Sequence, residues 1–205
     1  MTAQNAHYNE KSAGVYEQMY PIGFDTDAAV EYCSGMLKPE AKVLESGIGT
    51  GRIALQMAER GFRPHGVDGS EAMLAKPAER DTEGLVTAVL GGGGRPVRVL
   101  EAFDASPYHV MTKPDFSMRY LNETAIMLDT MMVDRAQQLM VATHTIVDGG
   151  PPETTQHVIR CAFPLEIDLL AELSGLKLVE RWAGWHQQPY TAISQRHVSA
   201  YERVT

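Results

Sequence analysis

Short apolar runs alternate with amphipathic segments over the first ninety residues of the chain. The amphipathic segments predict helices over residues 26–37, 52–60 and 71–76. Strands and helices that alternate in this way are typical of a parallel, doubly wound sheet with helices on its faces. The apolar runs predict three strands: Lys42–Glu45, Pro64–Asp68 and Leu85–Leu90.

Polar and helix-breaking residues predict where these helices begin and end. Thr26 and Ser70 can each cap a helix, because a side-chain hydroxyl accepts a hydrogen bond from a free N–H of the first turn. Gly61 follows the second helix and is a typical stop signal. We expect Pro77 to end the helix that starts after Ser70, since proline lacks the N–H that the next turn needs.

The pattern changes after residue 103, where the alternation of strand and helix stops. We expect residues 104–123 to form a loop over one face. The run ETAIMLDTMM fits a helix or a strand, because its periodicity does not separate the two. The remaining predictions are a strand at Val97–Phe103, an antiparallel hairpin of Leu139–Val147 and His157–Phe163, a helix at Leu165–Leu173, and last strands at Leu176–Trp182 and His197–Tyr201.

Composition and charge limit the partners. The chain has 205 residues, of which 44% are hydrophobic and 21% charged, as in an ordinary globular protein. A net charge of −8 argues against a nucleic-acid partner, because phosphate binding needs a basic surface. No long apolar stretch or signal-peptide pattern occurs, so we expect no membrane partner and a cytoplasmic location. Cys33 and Cys161 form no CxxC pair, and no residues show metal-ligand spacing, so we expect no metal.

A glycine-rich turn follows the first predicted strand in the sequence VLESGIGTGR, residues 43–52. Gly47, Gly49 and Gly51 would let a ligand approach the backbone, and the helix that follows would present free N–H groups. Asp68 closes the second strand, where an acid can accept hydrogen bonds from the ribose hydroxyls of an adenosine ligand. The alternatives are a tight turn without a ligand and, for Asp68, a helix cap or turn aspartate.

Two residues around the glycines indicate which ligand is favoured. Arg52 stands where the dinucleotide motif has a glycine, which argues against an NAD-type enzyme. Glu45 precedes the glycines and would repel a pyrophosphate, whereas it suits a cationic or amine-bearing ligand. S-adenosylmethionine carries a sulfonium and an ammonium group and has no phosphate, so the chemistry of the sequence favours it.

The sequence VLESGIGTGR followed by HGVDGSEAML resembles the first two motifs of class I S-adenosylmethionine-dependent methyltransferases of the small-molecule type. Upstream, YEQMY resembles the tyrosine-bearing helix that covers the cofactor in many members. Downstream, FPLEIDLLAELSGLKLVERWAGW and HVSAYER resemble the family's last helix and its terminal strand pair. The resemblance implies an α/β fold: a Rossmann-like, doubly wound, mostly parallel sheet with a C-terminal antiparallel strand pair and, here, an added antiparallel hairpin.

The resemblance also implies roles for individual residues. Glu45 would bind the methionine ammonium of S-adenosylmethionine, directly or through water, and Asp68 would hold the ribose. Tyr16 could close over the cofactor or simply pack in its helix. The other implied cofactor contacts are Gly47, Gly49 and Gly51 along the methionine and ribose, Ser70 and Met73 near the adenine, and Tyr20 as a second covering tyrosine.

The sequence departs from the family after the third strand. VTAVLG runs directly into GGGRPVRVLEAF, which resembles the family's fifth strand, so the fourth strand and its helices have no counterpart. Gly92 also stands where an acid that meets the adenine is expected. We therefore expect the sheet to be one core strand short. The sheet may close with fewer strands, a partner chain may fill the gap in an intertwined homodimer, or a segment within 116–147 may take the vacancy.

We expect a single domain, with a helical cap at 1–40, a cofactor-binding half at 41–103, a substrate or dimerisation insert at 104–163, and a C-terminal helix and strand pair at 164–205. The implied reaction is methyl transfer to an O, N or C atom of a small-molecule acceptor, leaving S-adenosylhomocysteine. Positioning would supply most of the catalysis. The alternative is a protein of this fold that binds the cofactor or nothing and does not methylate: a regulatory or dimerisation module, or a cyclase-like enzyme. Candidate catalytic residues are Tyr16, Tyr108 and His144, each of which also has a plain structural explanation.

Overall fold

The computed structural model describes residues 13, 14, 16, 24–90 and 99–204. The chain divides into two compact units, one formed by the described residues up to 90 and one by those from 99 onward. The single-domain organisation stays a prediction. No helix within these described ranges is long and apolar enough to cross a membrane.

The N-terminal unit is a three-stranded parallel sheet with helices between its strands, as the alternating pattern predicts. The strand order is β1-β2-β3, and both pairings are parallel. The second helix buries Ala54, Met57 and Ala58, one face of a helical repeat. The elements of this unit are α1 (Phe24–Gly35), β1 (Lys42–Ser46), α2 (Arg52–Glu59), β2 (Arg63–Asp68), α3 (Glu71–Arg80) and β3 (Thr87–Leu90).

The prediction that Pro77 ends its helix is wrong. Helix α3 begins after Ser70, whose hydroxyl accepts a hydrogen bond from the Met73 N–H at 3.2 Å, but it continues through Pro77 to Arg80. The Pro77 ring is fully buried, and it packs so close to Gly51 that a Cβ there would lie 2.8 Å from the proline Cβ. We attribute the continued helix to this packing, which offsets the lost backbone hydrogen bond.

The prediction that Thr26 caps the first helix is also wrong. Helix α1 begins at Phe24, so Thr26 lies inside the first turn and is buried. Its hydroxyl accepts a hydrogen bond from Arg52 Nη1 at 3.2 Å. A tertiary contact therefore uses the group that the local pattern assigned to capping.

The C-terminal unit contains two antiparallel sheets. One has the order β4-β10-β9 and the other β5-β6-β7-β8. The first of them contains the strand pair that the resemblance predicts at the end of the chain. The elements of this unit are β4 (Val99–Phe103), α4 (Ser106–His109), β5 (Asp115–Tyr120), β6 (Ile126–Asp134), β7 (Leu139–Val147), β8 (Glu153–Arg160), α5 (Pro164–Leu173), β9 (Leu176–Trp182) and β10 (Arg196–Arg203).

The segment before the predicted hairpin is more regular than expected. Residues 104–123 hold a short helix and strand β5, so the prediction of a loop is wrong there. The ambiguous run ETAIMLDTMM belongs to strand β6, which pairs with β5 on one side and β7 on the other. The expected hairpin of β7 and β8 is thus half of a four-stranded sheet, and β8 begins and ends earlier than predicted. Cross-strand pairing, which has no local period, determines these elements.

No described strand takes the place of the family's fourth strand. Within the described ranges, β1 pairs with β2 alone and β4 pairs with β10 alone. Residues 116–147 contribute instead to the four-stranded sheet, so of the three alternatives the one in which this segment takes the vacancy does not apply. Residues 91–98, including Gly92, lie outside the described residues. The intertwined dimer stays a prediction.

A polar network attaches α5 to β9 and β10. Arg181 donates to both carboxylate oxygens of Asp168, at 3.1 Å and 2.5 Å, and the Tyr201 hydroxyl donates to Asp168 at 2.8 Å. Burial raises the pKa of Asp168, but the hydrogen bonds from Arg181 and Tyr201 outweigh it and hold the pKa below its usual range. Arg181 Nε also donates to Ser199 at 2.8 Å, so one arginine connects the helix to both strands.

Candidate functional site

The glycine-rich turn between β1 and α2 is held in a left-handed backbone conformation. Gly47, Gly49 and Gly51 have φ of 75°, 55° and 79°, a region that other residues adopt only with strain. The N–H groups of Gly47 and Ile48 both donate to the Val67 carbonyl, at 2.7 Å and 3.2 Å. Helix α2 begins directly after Gly51, so its first N–H groups open at this turn.

Asp68 connects this turn to the start of α3. One carboxylate oxygen accepts a hydrogen bond from the Gly49 N–H at 2.8 Å, and the other accepts from the Ser70 N–H at 2.9 Å. The turn-aspartate explanation is therefore correct as far as it goes. An ionised carboxylate has about four lone-pair positions, so both oxygens keep the capacity to accept from a hydroxyl ligand.

The side chain of Glu45 places its carboxylate oxygen Oε2 in a buried position beside the glycine turn. Its Oε2 accepts no hydrogen bond from any residue that the structure describes. Burial raises the pKa of Glu45 to about 7, while a backbone hydrogen bond from Ala54 and the charge of Arg52 oppose the shift and Asp68 adds to it. A buried acceptor without a donor is unfavourable unless a ligand supplies one, and an ammonium group would satisfy it.

Arg52 brings Tyr16 to the same turn. Its guanidinium carbon lies 5.9 Å from the centroid of the Tyr16 ring, within the range of a cation–π contact. Its Nη1 also donates to Thr26. The sequence argument used Arg52 only to disfavour a dinucleotide, and so missed this linking role. Tyr20, the other predicted covering tyrosine, lies outside the described residues.

Two further residues shape the turn and were not singled out from the sequence. Gly66 faces Ile48 so closely that a Cβ at this position would lie 2.2 Å from Ile48 Cδ1. Arg80 donates from Nη2 to the Thr50 carbonyl. A glycine inside the predicted strand PHGVD was the available signal for Gly66, because it often marks a close approach; nothing local points to Arg80.

Ser70 and Met73 lie at the start of α3, next to the Asp68 carboxylate that accepts a hydrogen bond from the Ser70 N–H. Both are buried, with 3% and 2% of their surfaces exposed, and the Ser70 hydroxyl serves as the helix cap. Their expected proximity to an adenine stays a prediction.

Tyr108, a candidate catalytic residue, has a packing role in the C-terminal unit. Its ring meets the Phe103 ring edge-on, with centroids 5.0 Å apart. Both rings pack against a buried group formed by Ala105, Met140 and Cys161. Packing in the core of its own unit therefore accounts for Tyr108, and this favours a structural role over a catalytic one.

His144, the other candidate of this unit, lies in a polar cluster on the four-stranded sheet. Its Nδ1 is 2.5 Å from Asp129 Oδ1, and Arg119 Nε is 3.2 Å from Asp129 Oδ2. The His157 ring lies 5.2 Å from that of His144, and burial together with His144 lowers the pKa of His157. Asp129 and Arg119 were missed from the sequence, because only the strand register brings them together.

The fold is that of S-adenosylmethionine-dependent methyltransferases, which confirms the resemblance at the level of the fold. Neither a protein-family model nor a curated protein matches the sequence. The structure of the CcbJ methyltransferase from Streptomyces caelestis superposes with a TM-score of 0.84 at 26% identity, covering 98% of this chain and 99% of that one.

Two more distant structures show the same fold. An S-adenosylmethionine-dependent methyltransferase from Clostridium acetobutylicum has a TM-score of 0.76 at 10% identity, covering 95% of this chain and 98% of that one. CalS10 from Micromonospora echinaspora, an amino pentose methyltransferase with S-adenosylmethionine bound, has a TM-score of 0.55 at 15% identity, covering 96% and 98%.

Proposed function

We propose that this chain binds S-adenosylmethionine at the glycine turn and transfers its methyl group to a small-molecule nucleophile. The observation that carries the proposal is the buried Glu45 carboxylate, with Oε2 lacking any donor among the described residues, beside three left-handed glycines. The methyltransferase fold and the CalS10 structure, which holds this cofactor, support it.

The residues of the turn suit the chemistry of this cofactor. Glu45 would accept hydrogen bonds from the ammonium of the methionine part, and Asp68 would accept from the ribose hydroxyls while still holding its two N–H donors. The bare glycine backbone leaves room for a close approach. When bound, the cofactor supplies an electrophilic methyl group on a positively charged sulfur.

The contribution of the protein to the reaction would be positioning. Arg52 fixes Tyr16 against the glycine turn, and Asp68 fixes the turn itself. Two reactants held in line react faster because binding has already removed their freedom of motion. Exclusion of water also strengthens the electrostatic interactions in the site. This role needs a rigid turn more than it needs an acid or base in the N-terminal unit.

Calorimetric titration with S-adenosylmethionine tests the binding half of the proposal. We expect wild type to bind and Glu45→Gln to bind about 30-fold or more weakly, since truncating one side of a buried charge pair removes about 2 kcal/mol or more. Glu59→Gln removes an exposed carboxylate at the end of α2 and should leave affinity unchanged. Equal affinity in Glu45→Gln and wild type would refute the assignment.

A second candidate function is binding without methyl transfer. Within the described ranges, β1 pairs with β2 alone and β4 pairs with β10 alone, which favours this candidate, because the fourth strand of the family normally supplies residues near the transferred methyl group. Cofactor binding without release of S-adenosylhomocysteine, across a broad panel of amines, alcohols and carbon acids, would select this alternative.

A homodimer in the cytoplasm remains part of the proposal. Strand β5 presents Phe116 and Tyr120, and β6 presents Met132, with 63%, 75% and 58% of their surfaces exposed. These residues share one face of the four-stranded sheet, because their register places them on the same side. Apolar patches of this kind often mark protein interfaces. Light scattering of wild type and Phe116→Asp would test it, a monomer in the variant being the expected result.

A further inference from the structure

Strand β5 is an open edge of the four-stranded sheet. Within the described ranges it pairs with β6 alone, in a regular antiparallel register over its whole length. Every residue of the strand is exposed except Arg119, which is partly buried. An edge strand presents a row of backbone N–H and C=O groups to which another strand can pair, and many proteins protect such an edge with a bulge or a proline. Strand β5 itself contains neither, so its edge can accept another strand.

The side chains of β5 alternate between a polar face and an apolar face. On the polar face, Asp115 and Arg119 each lie two residues from Ser117, on opposite sides of it. The strand therefore carries one acid and one base at equal distances from its middle. The residues of the apolar face, all exposed, are Phe116, Met118 and Tyr120.

Two copies of β5 fit each other in one antiparallel register. A two-fold axis perpendicular to the sheet maps each face onto itself, so residues directly opposite each other must share a face. When Ser117 lies opposite Ser117 of a second copy, Asp115 of each copy lies opposite Arg119 of the other. In the same register, Phe116 of each copy lies opposite Met118 of the other. Opposite charges and sulfur–aromatic contacts at such positions stabilise strand pairing, and the symmetry makes each of them occur twice.

The charges of β5 do not fit a protective role. Charged residues on an edge strand usually keep other strands away. In β5 the sign and spacing of the charges would attract a second copy instead. Strand β8, the opposite edge of the same sheet, provides the contrast. Its acid and its base, Glu153 and Arg160, are its first and last residues and lie on opposite faces, so they cannot meet across such an axis.

We propose that two copies of this chain pair edge to edge through β5, which joins their four-stranded sheets into one continuous antiparallel sheet. This inference rests on the homodimer of the proposed function and specifies its surface and its register. The partner is a second copy because the complementary strand is β5 itself. A contact of this kind uses the same surface on both subunits, so it closes after two copies and gives a dimer.

Charge reversal tests the register. We expect Asp115→Arg and Arg119→Asp each to weaken the dimer about tenfold or more, because each places like charges opposite each other at two positions. In an equimolar mixture of the two variants, opposite charges face each other again at both positions. We therefore expect a heterodimer with about the affinity of wild type, measured by sedimentation equilibrium. Glu153→Arg reverses an exposed acid on the other edge of the sheet and should dimerise as wild type does.

A cysteine on the two-fold axis tests the same register without changing any charge. This variant is needed because Arg119 Nε lies 3.2 Å from Asp129 Oδ2, so Arg119→Asp also alters a contact within its own chain. Ser117→Cys places two thiols directly opposite each other, with Cβ atoms about 4.5–5.5 Å apart, close to the separation in a disulfide. We expect mild oxidation to link two copies of Ser117→Cys. The exposed Ser174 at the end of α5 provides the control, Ser174→Cys, which should not be linked above the wild-type background.

The inference and the proposed function fail in different ways. A wild-type protein that stays monomeric would overturn the homodimer and with it the pairing through β5, whereas calorimetry with S-adenosylmethionine judges cofactor binding separately. A dimer that neither charge variant weakens, or that oxidation of Ser117→Cys does not link, would overturn the pairing through β5 alone. If both charge variants are folded by circular dichroism and their mixture forms no heterodimer, the register is wrong.

Discussion

If Glu45 binds the cofactor ammonium as proposed, its raised pKa makes cofactor binding depend on pH. A cationic ligand needs the ionised carboxylate, and with a pKa of about 7 only about a tenth of Glu45 is ionised at about pH 6, against about nine tenths at about pH 8. The apparent dissociation constant for S-adenosylmethionine should therefore be about tenfold larger at about pH 6, a difference of about 1.4 kcal/mol. Deprotonation on binding should also release protons to the buffer.

Titration calorimetry across this range, in buffers of different ionisation enthalpy, measures both effects. Glu45→Gln provides the reference, because ionisation of the ligand itself is common to both proteins and cancels in the ratio of their dissociation constants. We expect that ratio to change about tenfold between about pH 6 and pH 8. A ratio that stays constant would show that Glu45 does not titrate in this range or does not meet the ligand, and would refute the reasoning.

Three further predictions concern stability. Because the folded-state pKa of Glu45 is raised, the ligand-free protein loses stability as pH rises from about 4.5 through about 7. Glu45→Gln removes this loss, so it should raise the free energy of unfolding by about 1–3 kcal/mol at about pH 8 and by little near pH 4.5. Denaturant titrations at the two pH values measure the difference. Gly66→Ala should push Ile48, and with it the glycine turn, away from β2, and should lower both stability and cofactor affinity. Gly35→Ala is the control, because a Cβ at that position meets open space. Asp168→Asn should leave the buried Arg181 guanidinium without its charge partner. We expect the free energy of unfolding to fall by about 3 kcal/mol and the melting temperature to fall by several degrees.

Each of these has an outcome that would contradict it. Equal stabilisation by Glu45→Gln at both pH values would mean that burial of the charge is not the cause. Normal affinity in Gly66→Ala would mean that the turn adapts to the extra methyl group. For Asp168, the control is Glu172→Gln, an exposed carboxylate on the same helix; equal effects of the two substitutions would remove any special role of the buried pair.

Local pattern was sufficient to predict the order of strands and helices in the N-terminal unit, although not the bounds of each helix. Strand β1 extends one residue beyond its predicted end, and Asp68 closes β2 as expected, because apolar runs and glycine turns are short-range signals. The same signals predict Glu45 and the three glycines as candidate site residues, a prediction that the experiments above test. Short-range signals do not show which side chains meet in the folded protein, such as Arg52, which donates a hydrogen bond to Thr26.

Where prediction failed, long-range packing determined the structure. Pro77 stays helical where its ring is buried against the glycine turn, a contact between segments distant in sequence. Strand β5 was read as a loop because its register with β6 comes from cross-strand pairing. Asp129 and His144 likewise become neighbours only through the register of β6 and β7. Periodicity carries no information on which strand lies beside which.

For a ligand bound at the glycine turn as proposed, the hydrogen bonds that Asp68 accepts would also affect the entropy of binding. Left-handed glycines are flexible in an unfolded chain, and fixing each one removes much conformational freedom. By accepting from the Gly49 N–H inside the turn, Asp68 helps to fix the turn when the chain folds, before any ligand binds. A ligand that arrives meets a backbone already in its final shape, so its affinity is not reduced by the ordering of a loop, and its association is expected to follow a single kinetic phase.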